Sequence, residues 1–164
     1  MNIINKLPLS ERCEVCIIGL GYVGLPLAVE IAKTKKCKLT GKNLSRNVIG
    51  FDISEKRLNE LKDGIDITKE LTQEEISTAG IDYLTSDAEI IINADMYIVT
   101  VPTPIDSANK PDLRALKNAT RIIGEALLKR EKESLPIIVY ESTVFPGATE
   151  EICIPIIEEL SGLR

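Results

Sequence analysis

Residues 13–24 read Cys-Glu-Val-Cys-Ile-Ile-Gly-Leu-Gly-Tyr-Val-Gly, a short β-prone apolar run that ends in Gly19-x-Gly21-x-x-Gly24. An amphipathic helical pattern begins inside the motif, with Val23, Leu27 and Ile31 four residues apart and Ala28 and Ala32 beside them. Each glycine has its own physical task. Gly19 lets the chain turn sharply off the strand, Gly21 leaves room for a pyrophosphate against the backbone, and Gly24 lets the helix lie close to the sheet. The free N–H groups and positive dipole end of that helix would face the phosphates. Strand, glycine turn and helix in this order predict a dinucleotide pocket formed by Gly19, Leu20, Gly21, Tyr22, Val23 and Gly24. The bland alternative is a glycine-rich turn that binds nothing.

The next strand supports the first reading. Asn47-Val-Ile-Gly-Phe-Asp52 ends in a carboxylate, which at this place accepts hydrogen bonds from the adenosine ribose hydroxyls and repels the 2′-phosphate of NADP. The usual spacing after the last glycine is about 20 residues, whereas Asp52 follows Gly24 by 28. The excess is assigned to Lys33–Asn47, a basic stretch without clear period that reads as an exposed loop or small hairpin. Its charge is read as solvated in preference to phosphate-binding. Ser54 is placed to cap a helix running to about Lys62 and closed by Gly64. Arg57 falls on its first turn, either covering the adenine or ribose or standing as a surface charge.

Further along, Thr72-x-x-Glu75 and Ser86-x-x-Glu89 read as capping boxes for helices over about 73–79 and 87–93. Strands are predicted at 81–85, at Asp95–Val101 and at about 136–141. The fourth ends in Pro102-Thr103-Pro104 and the fifth in Ser142-Thr143-Val144. A long helix after Asp112 carries Leu116, Ala119, Ile123 and Leu127 on one face. The last, over about 148–160, is expected to turn Ile152, Ile156 and Leu160 inward and to be kinked or split by Pro155. Alternation of apolar strands and amphipathic helices predicts an α/β fold, a Rossmann-type doubly wound parallel sheet of order 3-2-1-4-5 with helices on both faces. Gly19–Gly24, Asp52, Pro102–Pro104 and Ser142–Val144 then converge at the carboxyl ends of the strands, where such sheets bind ligands.

Composition narrows the chemistry. The 164 residues suit about one domain, read as a single unit over 1–164 with 1–12 as a tail. The net charge of −5 offers no electrostatic footprint for nucleic acid. No apolar run approaches the roughly 18 residues of a membrane span, and the polar start is unlike a signal peptide, so a cytoplasmic protein is expected. Histidine is absent, which excludes histidine acid–base catalysis within these residues. Cys13 and Cys16 lie on one strand facing opposite ways, so they are not expected to pair or share a metal. With Cys37 and Cys153 they read as reduced structural thiols, and no metal site is expected.

The segments Gly-Leu-Gly-Tyr-Val-Gly-Leu-Pro (19–26), Gly-Phe-Asp-Ile (50–53) with Arg57, Val-Pro-Thr-Pro-Ile-Asp (101–106) and Glu-Ser-Thr-Val-Phe-Pro-Gly-Ala-Thr-Glu-Glu (141–151) together resemble the UDP-glucose/UDP-N-acetylmannosamine dehydrogenase family. The wording of 111–113 and 140–147 is most similar to the branch acting on UDP-N-acetylhexosamines for surface polysaccharide. The resemblance implies NAD as cofactor and oxidation of the sugar C6 alcohol to a carboxylate in two steps, consuming two NAD+, through an aldehyde captured by a cysteine. It implies cofactor-binding roles for residues 19–24, Asp52, Arg57, Thr103 and Thr143, with Thr143 near the nicotinamide and the catalytic water. For Thr103 and Thr143 the plainer reading is turn capping. The family's catalytic cysteine motif, its Ser-Pro-Glu glutamate, its central helical region and its nucleotide-sugar domain have no counterpart here. The expectation is therefore the NAD-binding portion of a longer enzyme, inactive alone, whose full-length form is a homo-oligomer while this portion is monomeric. The alternative is a stand-alone NAD-sensing regulatory module.

Overall fold

The apolar run that opens the chain becomes β1 (Glu14–Ile18), and its alternation decides the two-sided core. Cys13, Val15 and Ile17 face one layer while Cys16 and Ile18 face the other. A strand buried on both faces needs neighbours on both edges, and β1 pairs in parallel with β2 (Asn47–Phe51) and β4 (Met96–Val99). β3 (Tyr83–Thr85) and β5 (Ile137–Tyr140) complete the order β3-β2-β1-β4-β5, as the right-handed crossovers predict. The computed structural model describes residues 7–9, 11–105 and 110–163.

One face of the sheet is covered by α1 (Gly24–Lys33) and α2 (Glu55–Lys62), the other by α4 (Arg114–Leu128) and α5 (Ile154–Ser161), with α3 (Gln73–Ser77) at the β3 edge. The α4 stripe is the one the sequence spacing predicts: Leu116, Ala119, Ile123 and Leu127 are buried against Cys16, Ile18, Tyr97 and Val99. The α1 stripe differs. Its buried residues are Leu25, Ala28, Val29 and Ala32, while Val23 is exposed and Leu27 and Ile31 only half-buried. The helix starts at Gly24 rather than near residue 21, which leaves Gly21–Val23 as a turn and rotates the inward face toward the small alanines.

Two further expectations change in detail. Thr72 and Glu75 form the predicted capping box, but the second box is not made. Asp87 caps a 3₁₀ turn, Ala88–Ile91, by accepting from the Glu89 amide, and the Ser86 hydroxyl donates to Glu55 instead. A carboxylate one residue nearer outcompetes the serine. Pro155 does split the last helix: a π turn, Thr149–Cys153, precedes α5 and places Pro155 at its second position, where no amide is missed. The extra residue in that turn shifts the register, so Cys153 and Ser161 are the buried positions and Ile152, Ile156 and Leu160 are half-buried.

The basic stretch before β2 is a small hairpin, with Lys36 and Asn43 bridged antiparallel and Gly41 at φ +69° in its turn. It joins the C-terminal end of α1 to the start of β2, hence lies at the amino ends of the strands, opposite the glycine turn. Leu44 anchors it in the core and Lys42 pairs with Glu11 at 2.8 Å. The insertion therefore lengthens the sequence between Gly24 and Asp52 without separating them in space. None of the helices among the described residues is long and apolar enough to cross a membrane.

Candidate functional site

The crossover order leaves a crevice above the carboxyl ends of β1 and β4, and the loops there enclose a cleft of about 470 Å³, within the range of small-molecule and cofactor sites. Gly19 leaves β1 at φ +95°, and its amide donates to the Phe51 carbonyl at 2.8 Å. The Thr100 hydroxyl, from the end of β4, donates to the carbonyls of Gly19 at 2.7 Å and Ile18 at 3.1 Å. Gly24 sits directly behind this turn. A Cβ there would stand 1.9 Å from the Gly19 carbonyl oxygen and 2.4 Å from the Thr100 hydroxyl, so no other residue fits. A Cβ on Gly21 would meet nothing within 4 Å. Its hydrogen faces open cleft, which is the space a ligand would fill.

Among the described residues, the amides of Gly21, Tyr22 and Val23 donate to no protein acceptor, whereas that of Leu20 is engaged. Tyr22 and Val23 expose their side chains at the rim, while Leu20 is fully buried. Leu20 owes its place to Gly50, where a Cβ would come within 3.0 Å of the Leu20 side chain. The sequence reading gave Gly50 no role, although a glycine inside a strand is the signal of a close approach.

Asp52 stands beside the glycine turn. Its Oδ2 accepts from the Leu20 amide at 2.8 Å and its Oδ1 from the Ser54 amide at 2.9 Å. Each oxygen retains acceptor capacity beyond that one bond, and the side chain borders the cleft. Arg57 is not a surface charge: it is 7% exposed, its Nε donates to the Leu20 carbonyl at 2.8 Å, and its Nη2 pairs with Asp66 at 2.7 Å. Asp66 also accepts from the Thr68 amide and hydroxyl and from the amides of Glu70 and Leu71. Burial alone would raise its pKa, but the Thr68, Arg57 and Leu71 donors together outweigh it and hold the acid down to about 2. Sequence reading missed Asp66; Asp66-Ile-Thr68 is the kind of short polar pattern that closes a turn.

On the β4–β5 side, Val101–Thr103 and Glu141–Thr143 line the cleft. The Ser142 hydroxyl donates to the Val101 carbonyl at 2.6 Å, and the Thr103 hydroxyl donates to the Thr143 carbonyl. All the sequence-selected residues, 19–23, Asp52, Arg57, Thr103 and Thr143, thus border one cavity, with Gly24 behind its floor. Asp106, the last residue of the 101–106 segment, lies outside the described residues. None of the four free cysteines lines the cleft. The charged side chains on its described wall are Asp52, Arg57 and Glu141. Since Arg57 is paired, a bound diphosphate would depend on the free amides of the glycine turn. Open space over Gly21, unspent amides beside it and an oriented carboxylate at the neighbouring strand fit NAD.

Comparison with known proteins agrees. The model of the UDP-glucose/GDP-mannose dehydrogenase family, NAD-binding domain, matches residues 13–164. UDP-N-acetyl-D-glucosamine 6-dehydrogenase of Salmonella typhi is 45% identical over 153 residues, 93% of this chain and 32% of that protein. Protein CapL of Staphylococcus aureus is 46% identical over 150 residues, 92% of this chain and 31% of that protein. The chain thus spans about a third of the length of these curated relatives. Among solved structures, a ternary complex of GDP-mannose dehydrogenase from Pseudomonas aeruginosa superposes with a TM-score of 0.74 at 28% identity, covering 92% of this chain and 33% of that one. With a glycine turn, a strand-end carboxylate and a parallel sheet that all answer to one cofactor, the chain belongs to the UDP-glucose/GDP-mannose dehydrogenase family and is its NAD-binding domain.

Proposed function

We propose that this domain holds NAD for the oxidation of the C6 alcohol of a UDP-N-acetylhexosamine to its carboxylate, with two NAD+ consumed per sugar, in the synthesis of a surface polysaccharide. The names of the relatives from Salmonella typhi and Staphylococcus aureus favour that substrate class and setting. When bound, NAD supplies the hydride acceptor. The amides of Gly21, Tyr22 and Val23 hold its diphosphate, and the absent side chain of Gly21 lets the phosphates reach the backbone. Asp52 receives the adenosine ribose hydroxyls, while Arg57 orders the loop beside it. Thr103 and Thr143 border the nicotinamide end, where an uncharged hydroxyl can hold an amide or a water without adding charge.

The nucleophilic cysteine and the acid–base residues of the reaction are proposed to lie outside these 164 residues, so the domain alone binds cofactor without turning over. Three of its cysteines are buried, burial pushes the thiols of Cys13 and Cys16 up, and Cys37 sits on the hairpin at the opposite end of the sheet. The observation that carries the proposal is the 2.8 Å hydrogen bond from the Leu20 amide to Asp52, which fixes the carboxylate beside the glycine turn.

Titration calorimetry tests it. NAD+ should bind in preference to NADP+, and Asp52→Asn should weaken NAD+ by about 1.5–3 kcal/mol, because the ribose loses a charged acceptor. An unchanged dissociation constant in the variant would remove Asp52 from the site.

A further inference from the structure

Arg57 is a cation on the cleft wall close to Asp52. An arginine just past the acid that closes the second strand is a device by which such pockets accept a 2′-phosphate. Here the guanidinium is withheld. Its Nε is spent on the Leu20 carbonyl and its Nη2 on Asp66, with side-chain exposures of only 8% for Arg57 and 0% for Asp66. Asp66 is itself immobilised by four donors from Thr68, Glu70 and Leu71, at 2.7 to 3.1 Å. Such a hub leaves the guanidinium little freedom, and its charge is answered within the wall of the cleft. Asp52, Arg57 and Asp66 together carry one negative charge in excess; without Asp66 they would carry none.

We propose that Asp66 is a positioning residue for cofactor choice: by pairing with Arg57 it neutralises and turns aside the one cation on the described wall of the cleft, so that a 2′-phosphate finds no partner there. The inference rests on the proposed placement of the adenosine ribose at Asp52. Arg57 Nη1 is buried and has no hydrogen-bond partner among the described residues, so the group retains a donor to offer once the clamp is released. Specificity is a difference between two affinities, and the clamp acts on one of them: NAD+ has no group at the 2′ position that would gain from a freed guanidinium.

The test is calorimetry with NAD+ and NADP+ on the full-length protein and its Asp66→Asn variant. If the parent protein binds no NAD+, or binds it with an affinity that Asp52→Asn leaves unchanged, the ribose placement fails and the inference fails with it. Given that placement, the ratio of the NADP+ to the NAD+ dissociation constant should fall about tenfold in Asp66→Asn. That fall should disappear when Arg57→Met is added. A purely structural Asp66 would weaken both ligands by one factor; an unchanged ratio in a folded Asp66→Asn would overturn the inference alone. Should circular dichroism show that variant unfolded, Arg57→Met decides by itself. A ratio within about twofold of the parent supports the clamp. A ratio raised about fivefold or more would mean that the guanidinium was already attracting the phosphate, and would overturn it.

Discussion

Along the β1–β2 bank of the cleft the polar groups are cross-tied: Asp52 holds two backbone amides, Arg57 joins the Leu20 carbonyl to Asp66, and Asp66 gathers the loop at 68–71. Along the β4–β5 bank single hydroxyl-to-carbonyl bonds, Ser142 to Val101 and Thr103 to Thr143, join two exposed loops. The first bank is organised before any ligand arrives, so binding there costs little ordering entropy. The second has fewer ties, one of them exposed to solvent. In the proposed function that contrast separates an anchoring end, where the adenosine half is held, from a working end, where a reacting group must be met.

Substitutions can break this contrast or sharpen it. The largest effect is expected from Gly24→Ala, whose methyl would meet the Gly19 carbonyl and the Thr100 hydroxyl; urea denaturation should show a loss of about 3 kcal/mol or more. Next comes acid. The Asp66 pKa is lowered from 3.8 to about 2, so its contribution is complete above 3.8 and lost as the pH falls toward 2. Over that window the parent should lose on the order of 2 kcal/mol more than Asp66→Asn, measured by denaturation at pH 6 and pH 2.

Gly21→Ala isolates binding from folding. Its methyl meets no protein atom, so stability should hold within about 0.5 kcal/mol, while NAD+ affinity falls about tenfold because the phosphates lose their approach to the backbone. Equal stability losses at Gly21 and Gly24 would erase the distinction between a glycine required by the fold and one required by the ligand. The smallest effect belongs to the loose bank. Thr103→Val removes one exposed hydrogen bond and should cost less than about 1 kcal/mol, readable as a small shift in the denaturation midpoint.

Reading the fold from the sequence succeeded where burial is periodic. The alternation in β1 and the α4 stripe of Leu116, Ala119, Ile123 and Leu127 reappear in the two core layers. It slipped where local options compete at similar energy. Ser86 and Asp87 both cap helices well, and the choice fell to the carboxylate once Glu55 engaged the serine. In α1 the apolar residues surround much of the helix, so several faces read as inward. The contact between Gly24 and Gly19, seen only in three dimensions, selects the alanine face.

The sequence by itself determined the sheet order and the set of strand ends that border the cleft, because hydrophobic period and crossover handedness are properties of short segments. It also placed an acid at the end of β2 despite the long basic insertion. Tertiary structure alone decided what Arg57 does. A side chain's partner 9 residues away, reached across a turn that buries both charges, leaves no periodic trace in the sequence. It likewise decided that Gly50 makes room for Leu20 and that the hairpin before β2 lies at the far end of the sheet. Those outcomes depend on which surfaces meet, and the meeting is settled by packing the whole chain at once.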